Sequence, residues 1–226
     1  MPDVRPDLSD SRFYAILDTA YVKPTSWRSV CQDLIDGGAA LIQVRAKHAT
    51  PDQREELLQQ VLPLFERRAR TAPAAPVLIV NDDVELCARH PGVGLHIGQE
   101  DTPPIEARRR VGPDRVIGLS THSLEQIHAA QALAPGIIDY FCVGPVFATQ
   151  TKPDYAPVGL ELVRLVAAST PRLPWFAIGG VNRTTLTEVA AAGALRVVAV
   201  SDVLQDPRPA DAVRHHLREL QRLSRR

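Results

Sequence analysis

Eight short apolar runs, separated by stretches of helical periodicity, predict an α/β fold, a single-domain (β/α)8 TIM barrel. Three observations carry that expectation. The runs are continuous rather than alternating, as strands are when helices cover both faces of a parallel sheet. The length of 226 residues falls at the short end of this fold's range. The segment after the first run, DTAYVKPTS, lacks the G-x-G-x-x-G turn of the rival doubly wound open sheet, which also uses fewer strands.

The elements follow in order along the chain. The first run, Phe13–Leu17, leads to helical spacing over Ser26–Asp36, which Gly37-Gly38 closes. Leu41–Val44 leads to Pro51–Arg70, with Pro51 where a first helical turn tolerates proline. Val77–Val80 and Val93–Ile97 precede the shorter helical stretches Val84–Arg89 and Pro104–Arg110. Val116–Leu119 precedes Ser123–Leu133, and Ile137–Val143 precedes Leu160–Ala168. Trp175–Ile178 precedes Thr184–Ala192, which Gly193 ends, and Val197–Val200 precedes Pro209–Leu223. Residues 1–11 read as a polar N-terminal extension and 12–226 as the barrel.

Composition narrows the function classes. Lys and Arg together number 26 and Asp and Glu 26, so the net charge is zero and no global field favours nucleic acid or an anionic membrane. Any bound anion must be held locally. The three cysteines, Cys31, Cys87 and Cys142, are far apart and lack C-x-x-C spacing, which points to neither a disulfide framework nor a zinc site. The N-terminus has no signal-peptide pattern, and no run of about 18 apolar residues occurs, so a cytoplasmic protein is expected.

In a parallel barrel the active site lies at the C-terminal ends of the strands, so polar residues following the runs are the candidates. The second run ends in Gln43, Val44, Arg45, Ala46 and Lys47; the third in Asn81 and Asp82; the fourth is followed by Gln99 and Asp101. The fifth ends in Ser120, Thr121 and His122, and the sixth in Gly144-Pro145 and a loop through Thr149, Gln150, Thr151 and Lys152. Gln43, Arg45 and Lys47 share period-two spacing, which directs all three toward the barrel mouth, where two cations call for an anion. Asp82 and Asp101 follow adjacent strands. Carboxylates in that relation suit one Mg²⁺ completed by phosphate oxygens and water. Each has an alternative reading as a helix cap, Asp82 for Val84–Arg89 and Asp101 for the helix after Pro103. Gly179-Gly180 and Val200-Ser201 end the seventh and eighth runs, where this fold commonly binds phosphate through backbone N–H groups. Together the site is expected to hold a diphosphate on the metal side and a monophosphate across the mouth.

The segments QVRAK, VNDDVELC, GLHIGQED, GLSTHS, VGPVFATQTKPDYAPVGLE and AIGGV together resemble the thiamine-phosphate synthase family over residues 13–203. The resemblance implies a transferase that joins a hydroxymethylpyrimidine diphosphate to a hydroxyethylthiazole phosphate, giving thiamine phosphate and diphosphate. By its motifs, Gln43, Val44, Arg45, Ala46, Lys47, Asn81, Ser120 and Lys152 bind the pyrimidine diphosphate. Asp82 and Asp101 hold Mg²⁺. Thr149, Gln150, Thr151, Gly180, Val200 and Ser201 bind the thiazole phosphate. The catalytic set is Arg45, Lys152 and Ser120, acting on a dissociative displacement that needs charge stabilisation more than a base. The partners are two phosphorylated small molecules, with neither nucleic acid nor membrane, and the oligomeric state is left open.

Three positions depart from the family pattern. Ala46 stands where an acid is usual, so a salt bridge orienting the neighbouring cations is expected to be missing. Ala148 replaces a common proline in the loop, and Leu195-Arg196 replaces Asp-Gly near the expected thiazole phosphate site. Two other functions stay open: a thiazole tautomerase of the same fold using His122, and a non-catalytic phosphate-ligand binding protein. Asp101 and the Gln43, Arg45, Lys47 set have no purpose in a tautomerase and favour the synthase.

Overall fold

In the computed structural model, which describes residues 5–72, 75–151 and 155–225, parallel strands close into a barrel in sequence order. They are β1 (Phe13–Asp18), β2 (Leu41–Arg45), β3 (Val77–Asn81), β4 (Gly94–Ile97), β5 (Ile117–Thr121), β6 (Tyr140–Val143), β7 (Trp175–Ala177) and β8 (Val197–Ala199). β1 closes the ring by pairing β8, with Phe13 opposite Val197. Around them run α1 (Trp27–Gly37), α2 (Pro51–Thr71), α3 (Val84–Arg89), α4 (Pro104–Val111), α5 (Leu124–Ala132), α6 (Gly159–Ala168), α7 (Leu186–Ala191), α8 (Ser201–Leu204) and α9 (Pro209–Leu223). The expected (β/α)8 order is therefore the observed one.

Period-two alternation sorts each strand into two cores. Phe13, Ala15 and Leu17 of β1, with Ile42 and Val44 of β2, pack outward against the helices. Tyr14, Ile16, Leu41, Ile79, Tyr140, Cys142, Phe176 and Val198 fill the barrel interior. Because both faces are covered, every residue of β1 is buried, which is why the run reads as continuously apolar. Leu8 joins the interior cluster from the N-terminal segment, and Arg5 of that segment pairs with Asp139 at 2.8 Å, so residues just before β1 are bound to the barrel.

Local chemistry sets the helix ends. The Thr50 hydroxyl accepts from the Gln53 N–H while the Gln53 side chain accepts from the Thr50 N–H, a reciprocal cap for α2, with Pro51 in the first turn. Ser123 caps α5 through the Gln126 N–H. The sixth strand begins at Tyr140 rather than Ile137, because Ile137 donates its N–H to the Ala134 carbonyl in a turn. The short helix α8 between β8 and α9 leaves no mark in the apolar pattern, since four residues are too few to show a period.

Candidate active site

A pocket opens at the C-terminal ends of the strands, lined by Gln43, Arg45, Asn81, Ser120, His122, Thr149, Thr151, Gly180, Val200 and Ser201, among others. Residues from β2, β3 and β5 thus meet the loops after β6, β7 and β8 in one cavity. A second pocket adjoins it at Asn81 and is lined by Val44, Ala46, Lys47, Arg54, Asp82 and Asp83. Lys47 lies beyond the end of β2 and is exposed, so it faces this neighbouring pocket rather than the barrel interior with Gln43 and Arg45. Val44 and Ala46 are buried in the core between strands and helices and also line this neighbouring pocket. Gln150 is exposed, and Lys152 lies outside the described residues.

The guanidinium of Arg45 is fixed from behind. Its Nη1 donates to Asp18 Oδ2 at 2.5 Å, and both side chains are almost fully buried. Asp18 Oδ1 also accepts from the Ala20 N–H at 2.9 Å, which ties the carboxylate to its own loop. Ala46 supplies no bridge, but Arg45 is oriented all the same by an acid across the β1–β2 pair, where Asp18 stands opposite it. Arg45 is close to the β6 loop as well, with Nη2 at 3.5 Å from the Thr151 carbonyl.

The floor of the pocket is a buried hydrogen-bonded chain that the sequence did not reveal. Gln43 Nε2 donates to the Tyr14 hydroxyl at 2.6 Å, the Tyr140 hydroxyl donates to that of Tyr14 at 3.0 Å, and His96 bridges Tyr140 at 3.0 Å and Ser120 at 2.9 Å. Gly118 makes room for it, since a Cβ there would lie 2.1 Å from the Tyr140 ring. Every member is satisfied by another, the condition under which a buried polar network is stable. Burial pushes both tyrosine hydroxyls well above the ordinary value of 10.0, so they remain neutral. A group whose folded pKa is raised stabilises the fold below its unfolded value and loses that contribution as pH rises. The unfolding free energy is accordingly expected to fall above pH 10.0. Urea titrations across that range should show a smaller fall for Tyr14→Phe than for the parent protein.

The two metal candidates occupy adjacent strand ends. Asp82 follows β3 with a left-handed φ of 62°, and its N–H donates to the His96 carbonyl of β4 at 2.9 Å. The cap of α3 is its neighbour Asp83, whose carboxylate accepts from the Leu86 N–H, so the capping reading of Asp82 does not hold. Asp101 does not cap α4 either: Pro103 occupies that position, and Asp101 Oδ2 instead accepts from the Gly98 N–H at 2.6 Å. Among the described residues no group of three or more His, Cys, Asp or Glu side chains forms a cage for a metal. Asp82 lines the second pocket, and Asp101 follows the next strand outside both linings; two hard carboxylates match the donor chemistry of Mg²⁺, which takes its remaining ligands from phosphate and water.

Across the mouth, Gly179 and Gly180 adopt φ of 95° and 67°, and a Cβ on Gly180 would meet Phe147 at 2.6 Å. Glycine thus lets the β7 loop pass close to the β6 loop and present its backbone to the cavity. The Gly180 carbonyl is pinned by Asn182 and Thr185 at 3.2 and 2.9 Å. The departure at Leu195-Arg196 is elsewhere. These residues precede β8, at the opposite end of the barrel, where Arg196 donates to the Ser9 carbonyl. Their expected proximity to the phosphate site is not observed. His122 lines the cavity just after β5, with Nδ1 against the Gly144 carbonyl and its ring 4.8 Å from that of Tyr155.

A closed parallel barrel whose polar strand ends and paired glycines line one cleft at the C-terminal ends of the strands defines a (β/α)8 protein with the active-site layout of an enzyme. Residues 13–203 match the family model described as thiamine monophosphate synthase, and the chain belongs to that family. It is 39% identical to the thiamine-phosphate synthase of Arthrobacter sp. (strain FB24), over 94% of this chain and 95% of the relative. The thiamine-phosphate synthase of Acidothermus cellulolyticus is likewise 39% identical, over 92% and 94%. Among solved structures, thiamine phosphate pyrophosphorylase from Pyrococcus furiosus superposes with a TM-score of 0.78 at 27% identity, covering 94% of this chain and 96% of its own.

Proposed function

We propose that this protein is a thiamine-phosphate synthase that couples 4-amino-2-methyl-5-hydroxymethylpyrimidine diphosphate to 4-methyl-5-(2-hydroxyethyl)thiazole phosphate by Mg²⁺-assisted dissociative displacement. It is a transferase of the family named above. The observation that carries the mechanism is the buried Asp18–Arg45 pair, which aims one guanidinium into the cleft shared by the β2, β3 and β5 strand ends.

In this reading the pyrimidine lies on the Gln43–Tyr14–Tyr140–His96 floor. A neutral, fully hydrogen-bonded surface there suits a heteroaromatic ring carrying an amine. Its diphosphate extends past Asn81 toward Lys47 and Asp82, with Ser120 and Lys152 completing the contacts. Asp82 and Asp101 would hold Mg²⁺, which supplies charge neutralisation for the departing diphosphate. The bond from the methylene carbon to the diphosphate oxygen breaks, and the thiazole nitrogen then bonds to that carbon. Arg45 and Lys152 offset the negative charge gathering on the leaving group; because Arg45 is held in place by Asp18, no reorganisation is required at that moment. The thiazole phosphate is held by Thr149, Gln150, Thr151, Gly180, Val200 and Ser201. Val44 and Ala46 border the diphosphate from the neighbouring pocket.

No helix among the described residues is long and apolar enough to cross a membrane. A cytoplasmic setting and two small-molecule partners, without nucleic acid, fit this reading. The metal assignment is tested by Asp101→Ala, which is expected to abolish Mg²⁺-stimulated turnover while leaving thiazole phosphate binding nearly unchanged. Turnover equal to that of the parent across a Mg²⁺ titration would remove Asp101 from the metal site.

A further inference from the structure

The two loops that supply Gly180 and Ser201 follow β7 and β8, and these strands are joined more weakly than any other neighbours in the barrel. A single register pair, Ala177 with Val197, connects them. The other strand pairs have three to five. Beyond that pair the ladder does not set the spacing of the loops.

A charged network spans the gap instead. Arg183, three residues after Gly180, pairs through Nη2 with Asp206 and through Nε with Asp202 at 3.6 Å. Asp202, next to Ser201, also takes a hydrogen bond of 2.9 Å from His216 Nε2 of α9. The His216 side chain is fully buried and stacks on Phe13 with ring centroids 5.2 Å apart, so Asp202 is bonded to a residue packed in the core. Burial alone would raise the Asp202 carboxyl. The bond and charge of His216, with the charge and backbone N–H of Arg183, outweigh burial and leave the carboxyl below its ordinary value, hence an anion at neutral pH.

We propose that Arg183 and Asp202 form a strap, anchored on His216, that sets the distance between the β7 and β8 loops and so tunes affinity for the phosphate of the thiazole substrate. This rests on the placement of that phosphate at Gly180 and Ser201. Arg183 and Asp202 act as positioning residues, with no contact to the ligand required. Exposed ion pairs are worth little as stability, but a small displacement of a phosphate cradle is felt strongly in binding geometry.

Arg183→Gln is the cleanest test, because the side chain is 40% exposed and its loss leaves no buried cavity. Calorimetric titration with thiazole phosphate is expected to show a Kd raised about tenfold, with the KM for the pyrimidine diphosphate unchanged. Arg183→Lys should recover part of the affinity, and Asp202→Asn, which can still accept from His216, should move the thiazole phosphate Kd in the same direction as Arg183→Gln. A double variant no weaker than the stronger single one would confirm that the two residues act as a unit. Unchanged thiazole phosphate affinity in Arg183→Gln would overturn the strap, as would an equal loss for both substrates, which signals general loosening. Gly180→Ala separates the two levels. If it weakens thiazole phosphate binding and Arg183→Gln does not, only the strap fails; if Gly180→Ala has no effect, the phosphate placement fails and the strap with it.

Discussion

Arg45→Met is expected to lower turnover by about 10²–10³-fold, the usual cost of removing one preorganised donor aimed at developing charge. The loss should fall on kcat more than on the KM of the thiazole phosphate, because Asp18 aims Arg45 from the end of β2 and it approaches the thiazole side only at the Thr151 carbonyl. Arg45→Lys should recover little. A lysine ammonium reaches as a point charge and cannot keep one N–H on Asp18 while directing another into the cleft, as the planar guanidinium does. Steady-state kinetics with each substrate varied in turn would read the split. A thiazole phosphate KM effect larger than the kcat effect would place Arg45 in the wrong half of the site.

The second large effect is on stability. Asp18→Ala leaves the Arg45 guanidinium buried without its carboxylate, and unpairing one partner of such a bridge costs about 3–5 kcal/mol. It also removes the acceptor for the Ala20 N–H, so the β1 loop loosens with it. The double variant Asp18→Ala/Arg45→Met removes both charges and is expected to regain most of that stability, since no lone buried ion remains. Urea denaturation of the two single variants and the double one completes the cycle. Equal destabilisation of Asp18→Ala and the double variant would show that the loop contact, rather than the ion pair, carries the effect.

The barrel was legible because strand and helix alternate in local patterns. A run such as Val77–Val80 needs no distant partner to be read, and the polar residues at its end, Asn81 and Asp82, are placed by the fold's own polarity. The same rule reaches Asp18, which ends β1 although the apolar run stops at Leu17, because an acid extends the strand without extending its apolar pattern. The Tyr14–Tyr140–His96 chain was beyond reach for a different reason. Its members sit on β1, β4 and β6, and only closure of the barrel brings those strands face to face. Tyr14 and Tyr140 therefore look like ordinary core aromatics in sequence.

Other differences follow from the direction of the chain. The resemblance puts Leu195-Arg196 near the expected thiazole phosphate site, yet β8 intervenes between them and Ser201 and puts them at the opposite end of the barrel. The cap of α3 fell on Asp83 rather than Asp82. The N–H of Asp82 remains bonded to the His96 carbonyl of β4, and the chain turns into the helix one residue later. That single step leaves the Asp82 carboxylate out of the helix end and at the rim of the cleft, beside Lys47.

The most direct measurement is to mix the protein with the pyrimidine diphosphate and the thiazole phosphate, with and without Mg²⁺, and follow both products. Thiamine phosphate and diphosphate are expected to appear in equal amounts, and rapidly only when Mg²⁺ is present. No thiamine phosphate with both substrates and Mg²⁺ supplied would contradict the account.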